Sequence, residues 1–271
     1  MKVAAIQMVS GLQPNTNQRQ ALQLLEQARD AGAELAVLPE YFAEMGADDA
    51  ARLRTAEPLG CGPVQDFLAE TAQRLGLWLV GGTLALQTDC AAQVSNSTLV
   101  FDPSGQRVAR YDKMHCFAFD NGRERYDEAR VVRAGRQPVT LDITARSGRR
   151  WRLGLSVCYD LRFPELYRQL SLAGAELLLV PSAFTYTTGQ AHWDCLLRAR
   201  AIENQAYVLA PAQGGQHANG RRTWGHSLLC DPWGEVLAQR VEGAGLVLGT
   251  LDAQLLARVR QQLPALEHRV L

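Results

Sequence analysis

Polar and apolar positions along the chain follow two periods. Short runs of Val, Leu, Ile and Ala are separated by longer stretches whose apolar residues recur every three to four positions, the spacings of strands and helices. Residues 3–9 (VAAIQMV) read as a strand. Residues 15–31 read as a helix with Ala21, Leu22, Leu24, Leu25 and Ala28 on one face, ended by Gly32. Residues 35–38 form a short apolar strand, and residues 64–75 a second helix, stopped by Gly76 ahead of a strand at 77–82. Strands at 94–101 and 107–111 are joined through Asp102-Pro-Ser-Gly105, a hairpin-type turn. Further strands are expected near 139–143 and 152–157, followed by a helix from Pro164 to about Ala173. An apolar run at 177–180, a helix at 190–204 and an extended run at 206–210 come next. Residues 226–230, 236–239 and 246–250 are the last strands, with Asp231-Pro-Trp-Gly234 as a second turn of the same kind, and residues 252–262 close as a helix.

This order mixes strand–helix–strand units with hairpins, so it predicts an α/β fold with mixed rather than purely parallel sheets. No linker or low-complexity tract interrupts it, and the two halves echo each other in outline. The expectation is one domain over residues 1–271, built of two sheets covered by helices.

Composition narrows the function classes. Basic and acidic residues balance at 28 each, which argues against a nucleic-acid or polybasic membrane surface. No apolar span reaches the length of a membrane helix, and Met1-Lys2 runs into the strand-like VAAIQM without a targeting pattern, so the expected compartment is the cytoplasm. There the six cysteines (Cys61, Cys90, Cys116, Cys158, Cys195, Cys230) are expected to stay reduced. They contain no CxxC and the five histidines form no HExxH, so neither a metal nor another cofactor is expected.

One cysteine stands apart. In "WRLGLSVCYDLRFPELYRQL" an apolar run ends at Cys158, just before a probable helix. Free cysteine is usually a buried filler. A strand end facing a helix N-terminus, however, offers N–H groups that would lower a thiol pKa and stabilise an oxyanion. None of the histidines is placed to serve it as a base, but Glu40 and Lys113 also sit at strand ends, where ligands gather in such folds. Asp160, Arg162 and Glu165 read as ion-pairing groups that hold the loop after Cys158. "GLSVC" lacks the last glycine of a serine-hydrolase elbow, and Gly214-Gly215 is too short for a phosphate loop and reads as a surface stretch.

The blocks "AVLPEYF", "RYDKMHCF" and "GLSVCYDLRFPELYR" resemble the three signature blocks of the nitrilase (carbon–nitrogen hydrolase) superfamily, in that family's order. The likeness runs from "AAIQM" near the start to "DPWGEVLA" near the end. It implies an αββα sandwich of two sheets that pairs with a second copy through its helices. It also implies Cys158 as nucleophile, Glu40 as general base and Lys113 as the cation at the oxyanion. Glu128, in "YDEARVVRAG", matches the family's second glutamate and would orient Lys113 or the substrate. The backbone N–H of Tyr159 would complete the oxyanion site, and Phe184 in "PSAF" would line the pocket.

Within the family, residues 181–234 look most like the deaminated-glutathione amidase branch: "AQGGQH" leans that way, whereas "TTG" and "WGHS" lean to the ω-amidases that cleave 2-oxoglutaramate. Either resemblance implies hydrolysis of the terminal carboxamide of a small 2-oxo acid, with release of ammonia or an amine. Arg221 and Arg222, in the polar loop 214–225, would then read a substrate carboxylate. A catalytically idle binding partner with the same fold is the reading from a different class. The tail, residues 263–271, is apolar after Pro264 and resembles tails that cross to a neighbouring subunit, so a homodimer with Leu266, Val270 and Leu271 buried on the partner is expected.

Overall fold

The computed structural model describes residues 1–46 and 48–270, so the expectation for Leu271 lies outside the described residues. Two large mixed sheets form the body. The first runs, in spatial order, Gly245–Thr250, Lys2–Gln7, Leu35–Val37, Trp78–Val80, Val94–Phe101 and Leu84–Gln87, with Arg107–Asp112 also pairing on Val94–Phe101. The second runs Val236–Arg240, Ser227–Cys230, Tyr207–Ala210, Leu177–Leu179, Arg150–Leu155 and Val139–Thr144. In each, three central strands are parallel and the flanking ones antiparallel. The predicted mixed α/β architecture is therefore observed.

Strand periodicity explains the layers. Ala4 and Ile6 point outward and pack with the buried Ala21, Leu25 and Ala28 of the helix Pro14–Asp30 and with Leu68 and Ala72 of Pro63–Leu75. Val3 and Ala5 point inward, into a core shared with Leu153, Leu155, Leu177 and Leu179 of the second sheet. The helices Pro164–Leu172 and Tyr186–Asn204 cover the far face of that sheet through Leu166, Tyr167, Leu170, Trp193 and Leu197. Each fully buried aliphatic side chain stabilises the fold by roughly 1.5–3 kcal/mol, and both the inter-sheet seam and the helix-covered outer faces are built of them.

Several elements were not anticipated, the strand Leu84–Gln87 among them. The helix Asp49–Arg54 is only six residues long and is capped by Asp48, whose Oδ1 accepts the Ala51 N–H at 2.8 Å. A small hairpin pairs Ala118–Asp120 with Arg125–Asp127, and another pairs Gly214–Gln216 with Arg222–Trp224. The second corrects the reading of Gly214-Gly215 as a surface stretch, because both are buried. A Cβ on Gly214 would fall 2.7 Å from the Gly225 Cα, and glycine lets the two hairpin strands meet there. The helix expected to start at 190 begins at Tyr186. Among the described residues no helix is long and apolar enough to cross a membrane.

Candidate active site

Each residue singled out at a strand end lies on the rim between the sheets. Glu40 follows the strand Leu35–Val37, and Pro39 just before it packs so closely on Gly82 that a Cβ there would sit 2.0 Å from the Pro39 carbonyl oxygen. Lys113 follows Arg107–Asp112, its backbone pinned by N–H donation to the Asn96 carbonyl at 2.9 Å and by acceptance from the Gly135 N–H at 2.8 Å. Glu128 opens the one-turn helix Glu128–Arg130. Cys158 opens another, Cys158–Arg162, and is held at φ +50° with its N–H donating to the Pro181 carbonyl at 3.0 Å. A positive φ on a non-glycine residue is strained backbone, and strain of this kind persists where surrounding bonds fix it.

The four converge. Lys113 Nζ lies 3.0 Å from Glu40 Oε1 and 2.7 Å from Glu128 Oε2, and all three side chains are withdrawn from solvent. Glu40 accepts further from Asn96 Nδ2 at 2.9 Å and, on its other oxygen, from the Ala183 N–H at 2.9 Å. Glu128 accepts from the Tyr41 hydroxyl at 2.8 Å and the Phe117 N–H at 2.8 Å. Glu40, Glu128 and Cys158 face one cavity of about 140 Å³, together with Tyr41, Arg52, Tyr126, Arg221 and Arg222. Tyr159 and Phe184 line a small recess of about 10 Å³ that opens beside Cys158. All eight predicted site residues thus gather at or behind the same pocket.

The electrostatics modify the sequence reading. Burial disfavours the Lys113 ammonium, but Glu128 and Glu40 overcome it and hold its pKa well above the ordinary value. Glu128 is itself penalised by burial, and Lys113 and Arg52 outweigh that, drawing its carboxyl down to about 2. The Cys158 thiol goes the other way: burial first, then the Glu40 carboxylate, push it well above its usual range, with Lys113 only partly opposing. The expectation that the strand end would lower this pKa is therefore corrected. A single 3-10 turn carries little dipole, and the Glu40 carboxylate beside the thiol outweighs it. That direction favours a protonated thiol at rest.

Asp160 also differs from expectation. It is fully buried and accepts from the Tyr111 hydroxyl at 2.6 Å, the His115 N–H at 3.0 Å and the Val157 N–H at 2.8 Å, with His115 Nδ1 at 2.6 Å. It does not pair with Arg162, which lies over the Tyr159 and Phe184 rings and beside His192. Glu165 stands in the first turn of Pro164–Leu172. Sequence reading missed Tyr41, Arg52 and Asn96; the only local signal was that Tyr41 directly follows Glu40 and that Asn96 is a polar residue inside a fully buried strand. Among the described residues no group of three His, Cys, Asp or Glu is arranged to hold a metal ion.

Two mixed sheets packed face to face, with a buried Glu–Lys–Glu cluster beside a cysteine at their rim, define the nitrilase-type fold. The chain belongs to the carbon–nitrogen hydrolase family, whose profile matches residues 2–261. It is 41% identical to a deaminated glutathione amidase of Synechocystis over 98% of this chain and 97% of that protein. It is 40% identical to the human deaminated glutathione amidase, over 98% of this chain and 81% of that one. Among solved structures, C. elegans NitFhit superposes with a TM-score of 0.90 at 37% identity, over 99% of this chain. This chain spans 65% of that fusion protein. Saccharomyces cerevisiae Nit3 superposes with a TM-score of 0.87 at 27% identity, over 100% of this chain and 97% of that one. The protein is thus a hydrolase of carbon–nitrogen bonds other than peptide bonds.

Proposed function

We propose that the chain hydrolyses the amide of deaminated glutathione through a cysteine thioester. The observation that carries this reading is Lys113, buried between Glu40 and Glu128, which themselves line the Cys158 pocket. The Cys158 sulfur attacks the amide carbon as Glu40 takes the thiol proton, which the raised thiol pKa makes obligatory. The carbonyl oxygen gains charge and is held by the Lys113 ammonium and the Tyr159 N–H. The carbon–nitrogen bond then breaks, and Glu40 returns its proton to the departing amine. Water, deprotonated by Glu40, attacks the thioester, releasing the acid and restoring the thiol. Glu128 keeps Lys113 charged and aimed.

The substrate assignment rests on relatives of about 40% identity that act as deaminated glutathione amidases, and on the arginines facing the pocket. In deaminated glutathione the scissile amide joins a 2-oxo diacid to cysteinylglycine, so the amine released is that dipeptide; ammonia is the product only from 2-oxoglutaramate. Turnover should be followed as 2-oxoglutarate formation from both compounds. A clear preference for deaminated glutathione supports the assignment, a preference for 2-oxoglutaramate moves it to the ω-amidases, and no turnover with any amide leaves the idle binding partner. A cytoplasmic setting belongs to the same reading, since the nucleophile must be kept as a thiol.

We further propose a homodimer in which Pro164–Leu172 and Tyr186–Asn204 meet their symmetry mates and the tail crosses over. Leu172 and Ile202, on those helices, are exposed at 66% and 48%, and Val270 in the tail at 94%. Taken together, these exposed apolar side chains on the two helices and the tail support a partner surface, while Leu266 is already half-buried within its own subunit.

A further inference from the structure

The pocket carries two guanidinium groups that no carboxylate meets at ion-pair distance among the described residues, although the charges of Glu128 and Glu40 act on Arg52 from across the pocket. Arg52 belongs to the short helix Asp49–Arg54, and Arg221 lies on the loop before the strand Arg222–Trp224. Both face the cavity that holds Cys158. Among the described residues neither side chain makes a hydrogen bond or an ion pair. The other arginines of this wall are engaged: Arg125 with Asp120 at 3.8 Å, Arg130 with Asp49 at 3.6 Å and Arg222 with Glu242 at 3.9 Å. Asp49, the acid nearest to Arg52 in sequence, is thus turned to another partner.

Each free guanidinium instead rests on an aromatic ring of the same pocket. The Arg52 guanidinium carbon is 5.0 Å from the Tyr41 ring centre, and that of Arg221 is 5.2 Å from the Tyr126 ring centre. A guanidinium stacked on a ring is held by its face, which leaves the N–H edge open to a ligand. Tyr41 is in turn fixed by its hydroxyl bond to Glu128, so the seat of Arg52 is tied to the residue that positions Lys113. Two braced forks on one cavity wall match the planar geometry and charge of a carboxylate, and pre-bracing reduces the entropy lost on binding.

We propose that Arg52 and Arg221 form a carboxylate clamp for the 2-oxo-acid end of the substrate, the end that stays on the enzyme in the thioester. This rests on the amidase reading above and adds what selects the acyl group. The clamp fixes the chain at its far end so that the amide carbon meets Cys158, and it ranks amides by the presence of that carboxylate rather than by the leaving amine. Arg222, anticipated as a partner in this task, is occupied by Glu242 and by the Tyr186 ring at 3.8 Å.

The test compares 2-oxoglutaramate with 4-oxopentanamide, in which a methyl group replaces the carboxylate. In the purified full-length protein, Arg52→Met and Arg221→Met should each lower the ratio of kcat/KM for the acid over the methyl ketone at least tenfold, mainly through KM. Arg52→Lys, which keeps charge but loses the fork, should give an intermediate ratio. Deaminated glutathione should lose as much as 2-oxoglutaramate in each variant. A ratio unchanged by both Met variants overturns the clamp. So does a loss confined to deaminated glutathione, which would place the arginines on the glycine carboxylate of the leaving dipeptide. A wild-type protein that hydrolyses the methyl ketone as well as the acid instead defeats the substrate reading itself, before any variant is made.

Discussion

Replacing Glu128 by Gln removes one negative charge from the buried cluster and little volume. The glutamine oxygen can still accept from the Tyr41 hydroxyl, but its NH2 would then face two donors, Lys113 Nζ and the Phe117 N–H, which now meet Oε2 at 2.7 and 2.8 Å. Removing one partner of a buried ion pair costs about 3–5 kcal/mol. Lys113 keeps Glu40 at 3.0 Å, so the lower end, about 3 kcal/mol, is expected. For a chain of this size that is a fall in Tm of roughly 6–12 °C at pH 7. The sign with pH follows from the carboxyl being lowered from 4.5 to about 2 on folding. Its contribution is complete above its unfolded value and is lost as pH falls through the folded one. The gap in stability between wild type and Glu128→Gln should therefore be full at neutral pH, begin to close below about pH 4.5 and vanish near 2. Activity should fall about a hundredfold, the scale of one misplaced oxyanion donor, because Lys113 would swing toward Glu40. Differential scanning calorimetry across pH, with kcat measured beside it, reads both. A variant with near wild-type Tm and kcat would refute the claim that Glu128 holds Lys113.

Three further outcomes are expected. Because burial and Glu40 keep the Cys158 thiol protonated, iodoacetamide at neutral pH should label the exposed Cys61, Cys90 and Cys195 before Cys158 in the resting protein; peptide mapping that finds Cys158 labelled first would show a preformed thiolate. Asp160→Asn keeps an acceptor but loses the anion that holds Tyr111 and His115, on either side of Lys113, to Val157 beside Cys158; kcat should drop tenfold or more with KM little changed, and an equal kcat per folded molecule would make its role one of stability alone. Truncation after Leu263 should reduce the dimer seen by sedimentation or lower the melting temperature, and a truncated protein that stays dimeric and equally stable would remove the crossing tail.

What the sequence disclosed and what it hid follow from the range of each interaction. Glu40, Lys113 and Cys158 are legible because strand ends announce themselves by the stop of an apolar run, and each run here ends within a few residues of its chemistry. Arg52 is not, because the six-residue helix Asp49–Arg54 is too short to show a period, and its seat on Tyr41 is a tertiary contact. Asn96 looks like a polar interruption of a strand until Glu40 and Tyr41 are seen to accept its amide. The Gly214 segment reads as polar loop by composition, yet it is buried because Gln7 and Gly225 close over it. The thiol pKa was misjudged for a related reason: helix position can be inferred locally, whereas burial and the approach of a carboxylate 118 positions earlier in the chain, at Glu40 against Cys158, cannot.

The central claim is covalent catalysis at Cys158, and it is tested most directly by trapping the intermediate. Deaminated glutathione mixed with the enzyme and quenched in acid within one turnover should leave a single 2-oxoglutaryl group on the protein, mapped by mass spectrometry to the peptide holding Cys158. The adduct should be absent from Cys158→Ala. Turnover without any acyl adduct, or an adduct on another residue that persists in Cys158→Ala, would contradict the account.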